Sequence, residues 1–147
     1  MESMSKIEAV LFDLDGTLLD SFPDFLASLE NININSSSKK IDESVVRANV
    51  SDGSSKLLKL VFDIDADDEG FDEHKRNFLN EYEKNILMYG NLFHGVSDLL
   101  NFLLDKKIPY GIVTNKPRKY TEIILKKSSL LRPVSYTHLT LPTMIRV

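Results

Sequence analysis

No cysteine occurs in the 147 residues, which removes disulfides, thiolate catalysis and cysteine metal sites together and fits a reducing, cytoplasmic setting. A basic surplus is also missing: 22 acids against 18 bases give a formal charge of −4, so no basic stripe argues for nucleic acid. Long hydrophobic runs are absent. Met1-Glu2-Ser3-Met4-Ser5-Lys6 leads straight into an apolar strand of about six residues, too short for a signal-peptide core or a membrane span, and Met4 is an alternative start. There is no internal repeat, and no Asp or Glu follows Glu122. A chain of this length builds one core, or one small domain carrying an inserted helical subdomain.

What is present is a parallel α/β pattern. Ile7 to Leu14 (IEAVLFDL) is a nearly continuous apolar run, which predicts a central strand buried on both faces. Ile108 to Val113 (IPYGIV) reads the same way, after an amphipathic helix over 96–106 with apolar positions at Val96, Leu99, Leu100, Leu103 and Leu104. Between Leu18 and about Met88 the spacing turns helical, with segments near 23–31, 42–49, 54–62 and 71–88. Asn31 to Lys40 is a Ser/Asn-rich break, and Asp42 and Ser51 stand where N-caps are expected. Phe78, Tyr82 and Tyr89 fall on helical spacing as packing residues. Val61 to Ala66 echoes the first strand end, but a calcium loop starting at Asp63 would need Gly and Glu where Asp68 and His74 stand. An acidic, solvated loop is expected there.

The chemistry gathers at the strand ends. In Asp13-Leu14-Asp15-Gly16-Thr17 the two carboxylates, two residues apart, leave the strand on one side while Leu14 points away. Close carboxylates repel unless a cation joins them or one keeps its proton, and a hard divalent cation such as magnesium suits an oxygen-rich site. Gly16 permits a sharp turn whose backbone N–H groups can hold a phosphate. After the second strand, Val113-Thr114-Asn115-Lys116-Pro117 puts a hydroxyl at another strand end, and in doubly wound sheets ligands gather at the carboxyl ends of strands.

The run DLDGTLLD after a hydrophobic strand resembles the first signature of haloacid dehalogenase-like hydrolases, and the Thr114 strand end resembles their second. Over roughly residues 7 to 132 the likeness is greatest to phosphoglycolate phosphatase-like enzymes, including those acting on N-acetylmuramic acid 6-phosphate. It is carried by Asp20-Ser21-Phe22-Pro23-Asp24-Phe25, by Arg47 with Val50-Ser51-Asp52-Gly53-Ser54, by Phe93-His94-Gly95-Val96 and by Thr114-Asn115-Lys116-Pro117. The resemblance implies a Rossmann-like parallel core, at 1–17 and 90–132, with an inserted all-helical cap at 18–89. It implies Asp13 as nucleophile and Asp15 as general acid and base. Magnesium would sit on Asp13 and Asp15, with phosphate held by Gly16, Thr114, Asn115 and, as a helper, Lys116. Arg47, Ser51, Gly53 and Ser54 are the candidates for substrate selectivity, with an i, i+4 pairing of Arg47 to Glu43 as the structural alternative. The implied partner is a small phosphorylated metabolite, with no nucleic acid and no membrane. His74, His94 and His138 show no metal-site spacing.

The chain also departs from that family. The third signature, with its lysine, and the fourth, with its acidic pair, are not found, and the expectation is a truncated enzyme, unstable and nearly inactive alone. Pro133 to Val147 (PVSYTHLTLPTMIRV) changes character abruptly and resembles translated sequencing-adapter DNA, so 133–147 is expected to be an artefactual tail. The first functional reading is a magnesium-dependent phosphoglycolate phosphatase. The alternatives are a sugar-phosphate phosphatase, a phosphomutase on the same core, or a non-catalytic phosphate- or protein-binding module.

Overall fold

A computed structural model describes residues 7–34 and 40–128. The expected tail at 133–147, His138 and residues 35–39 of the Ser/Asn-rich break lie outside the described residues. The chain divides into two compact units, one of residues 1–18 and 92–147 and the other of residues 19–91.

The first unit is α/β. Strand β1 (Val10–Phe12) pairs in parallel with β4 (Tyr110–Ile112), in the register Val10 to Tyr110, Leu11 to Gly111 and Phe12 to Ile112. Helix α5 (Val96–Asp105) precedes β4, and α6 (Arg118–Lys127) follows it. Ridges of α5 supply Val96, Leu100 and Leu103 to the core, whereas Leu99 and Leu104 are exposed. The sequence pattern assigned all five inward; an apolar stripe of that width exceeds what two strands can cover. Strand β1 is also shorter than expected, and it is not buried on both faces: Leu11 is 66% exposed. A strand is covered on both sides only when further strands and helices flank it, and β1 has a single neighbour among the described residues.

The second unit is helical, with α1 (Phe22–Ile34), α2 (Glu43–Asn49), α3 (Ser54–Phe62) and α4 (Phe71–Asn85). Strand β2 (Leu19–Asp20) opens it and pairs with β3 (Asn91–Leu92). Asp42 caps α2 as expected, its carboxylate accepting from the N–H groups of Ser44 and Val45. Ser51 is no N-cap: it lies inside a 3-10 turn over Val50–Asp52, and Gly53 holds the N-cap position of α3. The core is an aromatic stack between α1 and α4, with the Phe25 ring 4.3 Å from Tyr82 and 5.9 Å from Phe78. Phe78 and Tyr82 are buried, as their spacing indicated. Tyr89 is not a packing residue, since α4 ends at Asn85 and leaves it 57% exposed.

The two ends of the helical unit are fastened by Asp24. Its carboxylate, 1% exposed, accepts from the backbone N–H groups of Leu87 at 2.8 Å, Tyr89 at 2.9 Å and Gly90 at 2.9 Å. Gly90 is packed so tightly against this fastening that a Cβ there would fall 2.7 Å from Asp24 Oδ2 and 2.8 Å from the Asp20 carbonyl oxygen.

Candidate active site

Parallel pairing puts the carboxyl ends of β1 and β4 side by side. The Val113 N–H donates to the Phe12 carbonyl at 2.8 Å, just past the last paired residues, so the loops carrying Asp13 and Thr114 leave from the same edge. Leu14 is wholly buried and anchors the first loop, while Asp13 is exposed and Asp15 half-buried, the alternation that a strand end imposes. The chain then turns back through Gly16 at φ 81°, and Leu18 N–H reaches the Leu14 carbonyl at 3.0 Å. That φ is open to glycine at no steric cost.

The second loop is held from beneath. Thr114 is buried, and its Oγ1 accepts from the Lys116 N–H at 3.1 Å. Accepting that bond leaves the hydroxyl proton for donation elsewhere. Thr121, buried on α6, donates from its Oγ1 toward the carbonyls of Lys116 and Pro117, each at 3.3 Å, which ties the loop to the helix behind it. Asn115 is exposed.

Lys116 folds inward. Its side chain is 4% exposed, and its ammonium lies 3.0 Å from Asp15 Oδ2. The second oxygen, Asp15 Oδ1, is buried and has no hydrogen-bond partner among the described residues. An unpaired buried acceptor costs roughly 1–3 kcal/mol. Burial pushes the Asp13 carboxyl above its ordinary pKa of 3.8. The Leu14 N–H opposes that rise, the Asp15 charge adds to it, and Lys116 again opposes it. The side chain stays exposed, so the desolvation is partial, and shifts of this origin gather at functional sites.

Of the sequence candidates, Asp13, Asp15, Gly16, Thr114, Asn115 and Lys116 all lie in the α/β unit at these two loops, whereas Arg47, Ser51, Gly53 and Ser54 belong to the helical unit. Arg47 does not take Glu43: its guanidinium stands 3.9 Å over the Phe22 ring, with Nη1 3.6 Å from Asp20 Oδ2. Gly53 and the half-buried Ser54 begin α3, and the Ser51 side chain is outside the described residues. His94 is exposed, and His74 Nδ1 lies 3.0 Å from the Gly70 carbonyl oxygen. Sequence reasoning missed the pairing of Lys116 with Asp15. No local signal marks it, since Lys116 lies four residues beyond the last residue of β4 and its partner belongs to the other loop.

The oxygen donors here suit a hard cation. Asp13 has an exposed carboxylate, and a magnesium ion takes one or two carboxylates while keeping several waters. No cluster of three or more His, Asp or Glu residues that could hold a metal is found among the described residues.

Adjacent parallel strands ending in paired carboxylates on one side and a buried hydroxyl on the other gather polar groups at the edge where α/β sheets bind their ligands. The chain belongs to the haloacid dehalogenase-like hydrolases, whose family model matches residues 10–137. It is 32% identical over 125 residues to the N-acetylmuramic acid 6-phosphate phosphatase of Pseudomonas putida, a match covering 85% of this chain and 56% of that protein. To the phosphoglycolate phosphatase of Xanthomonas campestris it is 38% identical over 117 residues, covering 80% of this chain and 52% of that one. A crystal structure of a predicted phosphoglycolate phosphatase from Haemophilus somnus superposes with a TM-score of 0.74 at 25% identity, over 87% of this chain and 60% of that chain. The chain thus spans about half the length of the curated relatives it matches.

Proposed function

We propose that this chain carries the nucleophile and the proton-transfer group of a phosphomonoester hydrolase, with phosphoglycolate as the first candidate substrate and N-acetylmuramic acid 6-phosphate as the second. The observation that carries the reading is the Asp13 and Asp15 pair beside Thr114, at the adjoining carboxyl ends of β1 and β4. In this mechanism an Asp13 oxygen forms a bond to phosphorus as the bond from phosphorus to the substrate alkoxide oxygen breaks. Asp15 gives its proton to that departing oxygen. Water then attacks the phosphorus of the aspartyl-phosphate and loses its proton to Asp15. Inorganic phosphate leaves, and Asp13 is regenerated. Thr114 donates its hydroxyl proton to a phosphoryl oxygen, and the N–H groups of the Gly16 turn and of Asn115 take others. The Asp13 carboxylate and the Asp15 backbone carbonyl would hold a magnesium ion, which would neutralise the charge that sets an anionic nucleophile against an anionic substrate.

On this reading residues 18–89 are the cap, and Arg47 there recognises the anionic end of a small substrate. The N-acetylmuramic acid 6-phosphate alternative is favoured by the relative from Pseudomonas putida. A reaction confined to the cytoplasm fits a chain without cysteine. Turnover is expected from the full-length protein and close to none from this stretch alone, because the lysine and acidic pair of the family's later signatures are not among these residues.

The test is phosphate release by the full-length protein from each candidate substrate, with and without magnesium. Asp13→Asn is expected to abolish turnover, and retained activity would refute the nucleophile. Formation of a product isomer without free phosphate would replace hydrolysis by a mutase, and tight phosphate binding without turnover would favour the binding module.

A further inference from the structure

Arg47 holds its guanidinium in a posture that leaves much of it available. Its central carbon lies 3.9 Å from the centroid of the Phe22 ring, and Nη1 stands 3.6 Å from Asp20 Oδ2. That is an ion pair looser than a hydrogen bond, whereas an arginine clamped bidentately on a carboxylate closes to about 2.7–2.9 Å. The Arg47 side chain remains 56% exposed. Helix α2 has other anchors, since Asp42 caps its start and buried Val46 seats it. Asp20, in turn, gives Oδ1 to the Phe22 N–H at 3.3 Å and turns Oδ2 toward Arg47.

We propose that Asp20 is a specificity-determining residue: in the free protein its carboxylate occupies the anion side of Arg47, and a substrate carboxylate has to displace it. Phe22 fixes where the guanidinium stands, and Asp20 sets how strongly it takes an anion. This rests on the hydrolase reading above, with Arg47 facing the anionic end of the substrate. The ligands so tuned are phosphomonoesters that also carry a carboxylate, as phosphoglycolate and N-acetylmuramic acid 6-phosphate both do. A resident carboxylate competes with the incoming one and repels it, so removing its charge strengthens capture.

The experiment compares Asp20→Asn, Arg47→Gln and the double variant with wild type in the full-length protein. Phosphate release is followed from phosphoglycolate and from ethyl phosphate, which has the ester without the carboxylate. Asparagine keeps an oxygen for the Phe22 N–H and loses the charge. For an exposed pair, Asp20→Asn is expected to lower KM for phosphoglycolate about threefold at the wild-type kcat, and to raise kcat/KM for phosphoglycolate relative to ethyl phosphate by the same factor. Arg47→Gln should raise that KM about tenfold, and Asp20→Asn added to it should change nothing further. Circular dichroism at the assay temperature confirms that each variant is folded, and Asp20→Ser, which also offers an acceptor oxygen, serves if Asp20→Asn is not. An unchanged or raised KM in Asp20→Asn would overturn the assignment, as would a fall that persists beside Arg47→Gln or appears equally on ethyl phosphate. Arg47→Gln with the wild-type KM would remove Arg47 from recognition, and Asp20 with it. A wild-type protein that releases phosphate from neither ester would remove the hydrolase reading itself, an outcome separate from the behaviour of any variant.

Discussion

Asp24 shows how much one side chain carries in this chain. Its buried carboxylate serves three backbone donors, at Leu87, Tyr89 and Gly90, and truncation would leave those donors without their acceptor. Asp24→Ala is therefore expected to destabilise the helical unit by roughly 3 kcal/mol or more, read as a lowered urea midpoint, while Asp24→Asn loses less because one acceptor oxygen remains. Equal midpoints for wild type and Asp24→Ala would refute the fastening. At this scale the sequence was informative about placement, since Asp13, Asp15 and Thr114 do lie just beyond the adjoining ends of β1 and β4. It was silent where a side chain's role depends on a remote partner. Asp24 reads as an ordinary acid near a helix start, and its donors lie more than sixty residues away. Lys116 reads as a helper at the phosphate, and its pairing with Asp15 emerges only once the two loops are brought together.

The helices were the most legible elements, because 3.6-residue spacing is a local property. Helix α4 illustrates both the strength and the limit of that reading. Phe78→Ala removes a fully buried ring from the stack with Phe25 and Tyr82, and a loss of about 3–5 kcal/mol is expected on thermal or urea unfolding. Tyr89→Ala, placed beyond the end of α4, should change stability by less than about 0.5 kcal/mol. Helix α2 gives a pH test. Asp42 is held below its ordinary pKa of 3.8 by the Ser44 hydroxyl first, then by the Ser44 and Val45 N–H groups. Its stabilisation is thus full above that value and lost as pH falls through the lower pKa of the folded state. Asp42→Ala should melt below wild type at pH 7, with the gap closing in acid, and a gap constant with pH would show that the charge of the cap is irrelevant. Helix α6 and the β2 and β3 pair were not anticipated: a two-residue strand carries no periodicity, and the run from Arg118 to Lys127 is dominated by charge.

At the scale of the molecule, α/β character was legible from two apolar runs flanking an amphipathic helix, but the burial of those runs was not. Strand burial is decided by neighbours, and β1 with one partner leaves Leu11 and Ile7 open. The helical unit, by contrast, keeps its aromatic stack and its fastening within residues 19–91. Excised residues 19–91 are accordingly expected to retain helical circular dichroism and a cooperative melt, with a lower midpoint when Phe78→Ala is introduced. A featureless spectrum would show that this core does not suffice.

The tight seat of Gly90 beside Asp20 and Asp24 has a consequence for descent as well as for stability. A segment whose first and last residues are stitched together, with β2 and β3 a strand spacing of about 4.8 Å apart, adds little closure entropy to the chain that hosts it. Such a segment behaves as a cassette with one doorway. Genes can lengthen, shorten or exchange it without retuning the strand ends that carry Asp13 and Thr114, so on the proposed hydrolase reading substrate choice and bond-breaking chemistry would evolve on separate schedules.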